Sequence, residues 1–201
     1  MRSRRVALNS LFISLGIAIY VVESFIPFPF PNGKWGFSNF VVLLSIALFG
    51  AREGLLVAIG KSFVGSLVTG HFLDVAFFMS VLGSVSAALI EAVAFKTKVF
   101  GLVGVSILGS VTNNFVQTCV GVVFVGSKAI FWLFPYMMVL GLPGAFANAY
   151  IAGKVIPRVQ KTDFGVFVSA QEEDTKHAVQ RFRDSSPQNP RNARRKCHPH
   201  S

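Results

Sequence analysis

Long apolar stretches that contain very few acidic residues constrain the fold of this chain most strongly. One stretch runs from Val6 to Ile26, and five more lie between Phe37 and Ile156, separated by single charges, Gly or Pro residues and short turns. The first 156 residues carry only four carboxylates, namely Glu23, Glu53, Asp74 and Glu91. A soluble domain needs a larger polar surface. The pattern therefore predicts a polytopic membrane protein.

The overall composition supports this prediction. The chain is 52% hydrophobic and 14% charged, whereas soluble proteins have about 25% charged residues. Its net charge of +10 lies in short basic runs beside apolar segments. Such runs are typical of topology signals and lipid contacts, so we predict membrane lipid and no nucleic acid as a partner. Cys119 lies in an apolar segment and Cys197 in a polar one, and we do not expect them to pair.

We predict one all-α membrane domain of six transmembrane helices over residues 1–157. Residues 37–70 form 34 nearly continuous apolar positions, and a single helix of that length would be about 50 Å long, against a hydrocarbon core of roughly 30 Å. A turn at residues 51–54 is therefore expected. Pro135 and Pro143 are expected to kink the sixth helix. The predicted spans are 6–26, 37–50, 54–70, 73–95, 99–125 and 129–156.

The first span could also belong to a cleavable signal peptide, because arginines precede its apolar run. No small-x-small cleavage site lies before Glu23, so a retained first helix is favoured. With six spans, eight basic residues fall on one side of the membrane and two on the other, which by the positive-inside rule predicts that both termini are cytoplasmic. The eight are Arg2, Arg4, Arg5, Arg52, Lys96, Lys98, Lys154 and Arg158, and the two are Lys34 and Lys128.

Residues 158–201 are polar and charged, which predicts a largely disordered cytoplasmic tail with one short helix at 165–183. The terminal Cys197, His198 and His200 are metal-ligand residue types. Three such residues at a chain end are more often coincidence, so no metal site is predicted.

Polar residues inside the apolar spans are the candidate binding residues, because polar groups at bilayer depth are costly without a partner or a function. Lys61 is the strongest candidate, since it lies too deep to reach the interface easily. Asn113 and Gln117 share one helical face. The predicted outward-opening substrate site comprises Glu23, Lys34, Asn39, Lys61, Asn113, Asn114 and Gln117.

These candidates have structural alternatives. Asn113, Asn114 and Gln117 could simply hydrogen-bond neighbouring helices, and the sequence favours neither role. Glu23 and Asp74 could be solvated charges at helix ends. Ser10, Ser14 and Ala18 form a small-residue stripe on the first helix, which could receive either a partner subunit or another helix of this chain.

Catalytic signatures are absent from the sequence of the spans. There is no paired-aspartate motif, no phosphate-binding Gly-Lys-Ser/Thr loop and no metal-ligand spacing of His or Cys. We therefore predict no catalytic residues, no cofactor and no enzymatic activity of the chain by itself.

Three sequence blocks resemble a known family. Residues 31–39 (PNGKWGFSN), 61–67 (KSFVGSL) and 106–117 (SILGSVTNNFVQ) are similar to the Gx transporter family, which is often labelled heptaprenyl diphosphate synthase component I. That family in turn resembles the substrate-binding S components of energy-coupling-factor (ECF) vitamin transporters. The resemblance covers residues 5–157. Two positions depart from the family pattern, since Lys61 replaces an Arg and Asn113 replaces a His; anion recognition is still expected here, whereas proton-linked chemistry at position 113 is not.

The resemblance implies a six-helix S-component fold in the bacterial cytoplasmic membrane. It implies as partners a transmembrane coupling subunit at the stripe of the first helix, two cytoplasmic ATPases, and a small vitamin- or cofactor-like solute. The alternative function is a non-catalytic membrane subunit of a heptaprenyl diphosphate synthase. A third reading, a purely structural scaffold, would leave Lys61 unexplained.

Overall fold

The computed structural model describes residues 2–27 and 35–160, with the backbone alone at 2–6, 8 and 160. Over these residues the chain is all-helical, as predicted, with six α-helices and one 3-10 helix. The α-helices are α1 (Arg2–Ser24), α2 (Asn39–Phe49), α3 (Ala51–Val68), α4 (Val75–Thr97), α5 (Leu102–Val125) and α6 (Phe134–Gln160), and the 3-10 helix is Lys128–Leu133.

The break between α2 and α3 differs from the predicted turn at 51–54. It falls on Gly50, whose φ of 102° suits glycine. Arg52 and Glu53 consequently lie in the first turn of α3. The sequence pattern was misleading here because the charges mark the polar end of the helix, whereas the backbone reverses at the glycine.

The two prolines expected to kink the last helix have different positions. Pro135 is the second residue of α6, where the missing N–H is not needed, so it does not interrupt the helix. Pro143 does lie inside α6, and so does Pro157. The 3-10 helix fills the first part of the predicted sixth span.

Small residues on α3 allow its neighbours to pack closely. A side chain at Gly54 would collide with Ile46 of α2, and one at Gly60 or Gly65 would collide with Ile13 or Tyr20 of α1. Close approach at small residues is how helices associate in membranes. The third helix thus packs closely against both α1 and α2.

Four helices meet at an apolar cluster formed by Leu43, Ala94, Val105 and Ala152. These residues come from α2, α4, α5 and α6, and Leu43, Val105 and Ala152 are fully buried. The short α2 therefore lies against the longer helices rather than at the edge of the bundle. This cluster fixes the relative register of the four helices.

Three helical segments are long and apolar enough to cross a membrane: Val75–Thr97, Leu102–Val125 and Lys128–Val159. Shorter apolar helices lie at Asn9–Ser24 and Asn39–Phe49. Large apolar side chains are also exposed on the surface, for example Val123 and Trp132, and lipid would cover such a surface. The structure thus supports a membrane protein, while the six-span topology with cytoplasmic termini stays a prediction.

By its internal contacts the chain divides into residues 1–157 and 158–201. The predicted tail helix at 165–183 and the predicted disorder lie outside the described residues.

Candidate functional site

The carboxylate of Glu23 binds the backbone that leads into α2. Glu23 is near the end of α1, and its side chain is 3% exposed. Its Oε1 accepts hydrogen bonds from the N–H groups of Gly36 and Phe37, and its Oε2 accepts one from Ser38 at 3.3 Å. These N–H groups belong to the N-cap of α2, Ser38, and to the two residues before it, beside the positive end of the helix. Glu23 therefore stabilises the start of α2 from a neighbouring helix.

Lys61 of α3 reaches the same point from another direction. Its ammonium group donates to Ser38 Oγ at 3.0 Å and to Asn39 Oδ1 at 2.6 Å. The side chain is 1% exposed and passes Gly16 of α1, where a Cβ would lie 3.1 Å from Lys61 Cβ. Glu23 and Lys61 thus bind the backbone and the side chain of one residue, Ser38.

The loop that contains Ser38 is also bound by α6. Asn148 donates to the carbonyl oxygen of Gly36 at 2.9 Å. One turn earlier, a side chain at Gly144 would collide with the carbonyl oxygen of Trp35. Irregular backbone is tolerated among membrane helices only where protein or water satisfies its polar groups. Here Glu23 accepts from the loop and Asn148 donates to it.

A second buried carboxylate, Glu91 of α4, was not among the predicted site residues. Its side chain is 2% exposed, its Oε2 has no hydrogen-bond partner, and Lys61 acts on it electrostatically. A side chain at Gly109 of α5 would collide with its carboxylate. The sequence did contain a signal, since Glu91 is the one acidic residue of α4, a largely apolar helix of 23 residues.

These groups lie at one level of the bundle. Each member of the apolar cluster has a neighbour about one helical turn away on its own helix, toward the same end of the bundle. These neighbours are Asn39 for Leu43, Glu91 for Ala94, Gly109 for Val105 and Asn148 for Ala152. Lys61 and Ser38 join this level through Asn39 and the loop. We call the following residues the polar layer: Glu23, Ser38, Asn39, Lys61, Glu91 and Asn148.

The fifth helix presents polar side chains on two faces. On one face, Asn113 and Gln117 lie against Gly83 of α4, where a Cβ would be 2.5 Å from Asn113 Oδ1 and 3.1 Å from Gln117 Cγ. Both side chains are buried, and Asn113 Oδ1 has no hydrogen-bond partner. These two residues therefore lie where α4 and α5 meet, on the face that the sequence predicted they would share.

The other face of α5 binds the backbone of α6. Ser106 Oγ donates to the carbonyl oxygen of Ala145 at 2.9 Å, Ser110 Oγ to Gly141 at 3.3 Å, and Asn114 Nδ2 to Met137 at 3.0 Å. Each step is four residues on both helices, as expected for antiparallel helices in register. We call Ser106, Ser110 and Asn114 the α5–α6 ladder. Its contacts are interhelical, which is the structural role that the sequence left open for Asn114.

Of the predicted substrate-site residues, the structure brings Glu23, Asn39 and Lys61 together. It places Asn113 and Gln117 against α4, and Asn114 against α6. Lys34 lies outside the described residues. Their role in binding a substrate stays a prediction.

The small-residue stripe of α1 is exposed. Ser10, Ser14 and Ala18 all face away from the bundle, while Gly16 and Tyr20 on the other side of the same helix pack against α3. Packing of the stripe within the described part of this chain is therefore not observed, and the face is open to a partner.

Over the described residues, the structure contains no group of three or more His, Cys, Asp or Glu side chains that could hold a metal ion. Asp74 accepts from the N–H of Val75 at 2.6 Å and lies 3.6 Å from His71, where both side chains are exposed. It caps α4 and lies outside the polar layer.

Comparison with known protein families identifies a match over most of the membrane domain. A family model described as heptaprenyl diphosphate synthase component I matches residues 12–155, which is more than half of the chain and agrees with the family that the sequence blocks predicted. No curated protein and no solved structure matches the chain.

Proposed function

The chain belongs to the heptaprenyl diphosphate synthase component I family, and we propose that it is the membrane-embedded substrate-binding subunit, or S component, of an ECF-type uptake transporter. Its solute would be small and vitamin- or cofactor-like. The observation that carries this proposal is the buried ammonium group of Lys61 in the polar layer.

Buried charge is costly in a membrane protein. A charged side chain in a spanning helix costs about 2.5 kcal/mol or more, and such residues usually mark a substrate or ion pathway. A bundle that served only as a scaffold would be as stable, or more stable, with apolar residues at Lys61 and Glu91. The polar layer therefore supports a binding role, in which Lys61 receives an acidic group of the solute.

The proposal is tested by native mass spectrometry of the gently purified full chain. We expect a small molecule to be retained by the wild type and by Lys96→Met, a control at an exposed lysine near the end of α4. Lys61→Met should retain at least tenfold less, and Lys61→Arg should retain more than Lys61→Met because it keeps the charge. Equal retention by Lys61→Met would remove Lys61 from the site.

The exposed stripe of α1 supports the proposed coupling partner. Helices approach closely at small residues, so Ser14→Leu should prevent assembly with a transmembrane coupling subunit and its two ATPases, while Ser14→Ala keeps the face small and should assemble normally. Co-purification from cells that express the complete complex measures this. A Ser14→Leu chain that still assembles would refute this partner face.

The description of the family model favours a second candidate, a non-catalytic membrane subunit of a heptaprenyl diphosphate synthase. Because the sequence has no paired-aspartate motif, catalysis would then belong to a partner. The two candidates predict different co-purifying proteins, either a coupling subunit with ATPases or a soluble prenyltransferase. Purification of the tagged full chain, followed by identification of what accompanies it, discriminates between them.

A further inference from the structure

An apolar cavity lies where the 3-10 helix meets α6. Its volume is about 310 Å³, and it is lined by Phe131, Trp132, Phe134 and Pro135. This volume is at the lower end of the range for small-molecule sites, about 300–1,000 Å³. Trp132 is 81% exposed and Phe131 is 48% exposed, so the cavity opens on the surface of the protein. A cavity of this kind favours an apolar chain over water.

The wall of this cavity is held in place by packing. Ile130, the residue before Phe131, lies against Gly121 of α5, where a Cβ would be 3.6 Å from its side chain. The Phe131 ring stacks on Phe134 at a centroid distance of 5.8 Å and makes an edge contact with Phe115 of α5 at 6.4 Å. The cavity is therefore part of the packed structure of α5, the 3-10 helix and α6.

A lysine lies beside the cavity. Lys128 begins the 3-10 helix, and its side chain is exposed. Residues three apart in a 3-10 helix lie on the same side, about 6 Å apart along the axis, so Lys128 and Phe131 share one side. No carboxylate of residues 2–27 or 35–160 lies within ion-pair distance of Lys128. An anion for this lysine therefore has to come from outside the described part of the chain.

The position of Lys128 in the bundle indicates the source of that anion. Lys128–Val159 is one of the segments that are long and apolar enough to cross a membrane, and Lys128 is its first residue. The end of such a segment lies at the membrane surface, where Lys and Trp side chains reach the lipid head groups. A phospholipid carries a phosphate and apolar chains in one molecule, and these two parts match Lys128 and the cavity.

We propose that this cavity binds one anionic phospholipid, with an acyl chain in the cavity and the phosphate against Lys128. An anionic lipid such as phosphatidylglycerol is preferred to phosphatidylcholine, because the choline group of the latter cancels the charge of its phosphate. The attraction of one lysine to an anionic lipid corresponds to about a fivefold preference. This site goes beyond the proposed function and does not depend on it.

The test uses the fluorescence of Trp132. The chain has two tryptophans, so Trp132 is the single one in a Trp35→Phe parent protein. The full chain is reconstituted in phosphatidylcholine vesicles that contain increasing fractions of a lipid with brominated acyl chains, since bromine quenches a tryptophan that it contacts. Brominated phosphatidylglycerol should reach half-maximal quenching at about one fifth of the mole fraction that brominated phosphatidylcholine requires.

Substitutions of Lys128 test the contact with the phosphate. Lys128→Met should make the two mole fractions equal, and Lys128→Arg should keep the preference because it keeps the charge. Lys96→Met removes an exposed lysine near the other end of α5 and should also keep the preference. Equal quenching by the two lipids in the parent protein overturns the proposal, because Trp132 would then contact bulk lipid. A preference that survives Lys128→Met overturns it as well.

A second pair of variants separates the cavity from the charge. Phe131→Ala removes one wall of the cavity and leaves Lys128 in place, whereas Val123→Ala shortens an exposed side chain of α5 that does not line it. Phe131→Ala should at least halve the preference for phosphatidylglycerol, because the chain no longer holds the head group beside the lysine. Val123→Ala should leave the preference unchanged. Equal preferences in these two variants would refute the cavity as the site of the chain.

Discussion

Buried polar side chains occur in the polar layer and in the α5–α6 ladder, and the two regions satisfy them differently. In the ladder, three neutral side chains donate to three carbonyl oxygens of α6. In the polar layer, Glu23 and Lys61 bind the residues at the start of α2, whereas Glu91 Oε2 and Asn148 Oδ1 are buried and have no hydrogen-bond partner. The ladder is complete within the chain, whereas the layer is not.

This difference separates a structural role from a binding role. A membrane helix gains stability from a polar side chain that is fully paired with its neighbour. It gains none from a buried charge with an unpaired oxygen, so such a group points to a ligand. Whether a buried polar group has a hydrogen-bond partner is therefore a better criterion for a binding role than the depth of its residue in the helix.

Substitution of Lys61 should have the largest effect. Lys61→Met would remove the ammonium group that acts electrostatically on Glu91, and removal of one member of a buried charge pair costs about 3–5 kcal/mol. Neutralising Glu91 as well should restore part of this loss. The double variant Lys61→Met/Glu91→Gln should therefore have a free energy of unfolding at least about 1 kcal/mol above the value that the two single variants predict by addition. Chemical unfolding in detergent micelles measures all four members of the cycle.

Strictly additive effects in this cycle would show that Lys61 and Glu91 do not interact, and the polar layer would then comprise two separate sites. Lys96→Met, at an exposed lysine of α4, serves as the control for loss of a lysine and should change the free energy of unfolding by less than about 0.5 kcal/mol.

A pair of glycine substitutions in α6 should have the next largest effect. Gly144→Ala would push its methyl group against the backbone carbonyl of Trp35, and overpacking of this kind costs about 1–3 kcal/mol. Gly153→Ala meets its nearest neighbour, Leu102, at an ordinary 3.7 Å and should be neutral or stabilising by up to about 1 kcal/mol, because Ala is the better helix former. Chemical unfolding in detergent micelles measures both changes. If both variants behave alike, contact with α6 does not hold the loop in place.

The helical fold could be predicted because its cause lies in local sequence. The order of the six helices was predicted from apolar runs of helical length and from the glycines and charges between them. The predicted helix ends were less accurate. The break at Gly50 depends on the φ angle of this residue, and the charges of Arg52 and Glu53 are compatible either with a turn or with the first turn of a helix. The 3-10 helix at Lys128–Leu133 had no sequence signal that we used.

The candidate site could be predicted only in part, because its geometry depends on helix register. Depth placed Glu23, Asn39 and Lys61 among the seven predicted site residues, and these three do come together. It could not show that the adjacent Asn113 and Asn114 face different helices, since that depends on how α5 is rotated between α4 and α6. Glu91 was missed because its distance along the chain from Lys61 gave no indication that the two are close.

The smallest effects are expected in the α5–α6 ladder, where each hydrogen bond is one neutral contact between helices. Such bonds contribute about 0.6 kcal/mol on average in membrane proteins. Asn114→Ala and Ser110→Ala should therefore each lower the free energy of unfolding by roughly that amount, because each leaves one carbonyl oxygen of α6 without its donor. Neither variant should change the retention of a small molecule, since the ladder is complete within the chain. Ser86→Ala, at a half-buried serine of α4, controls for loss of a hydroxyl group, and the same unfolding measurement applies to all three. If Asn114→Ala abolishes retention of the small molecule while the fold persists, the ladder belongs to the binding site, and the division of the bundle into a paired and an unpaired region is incorrect.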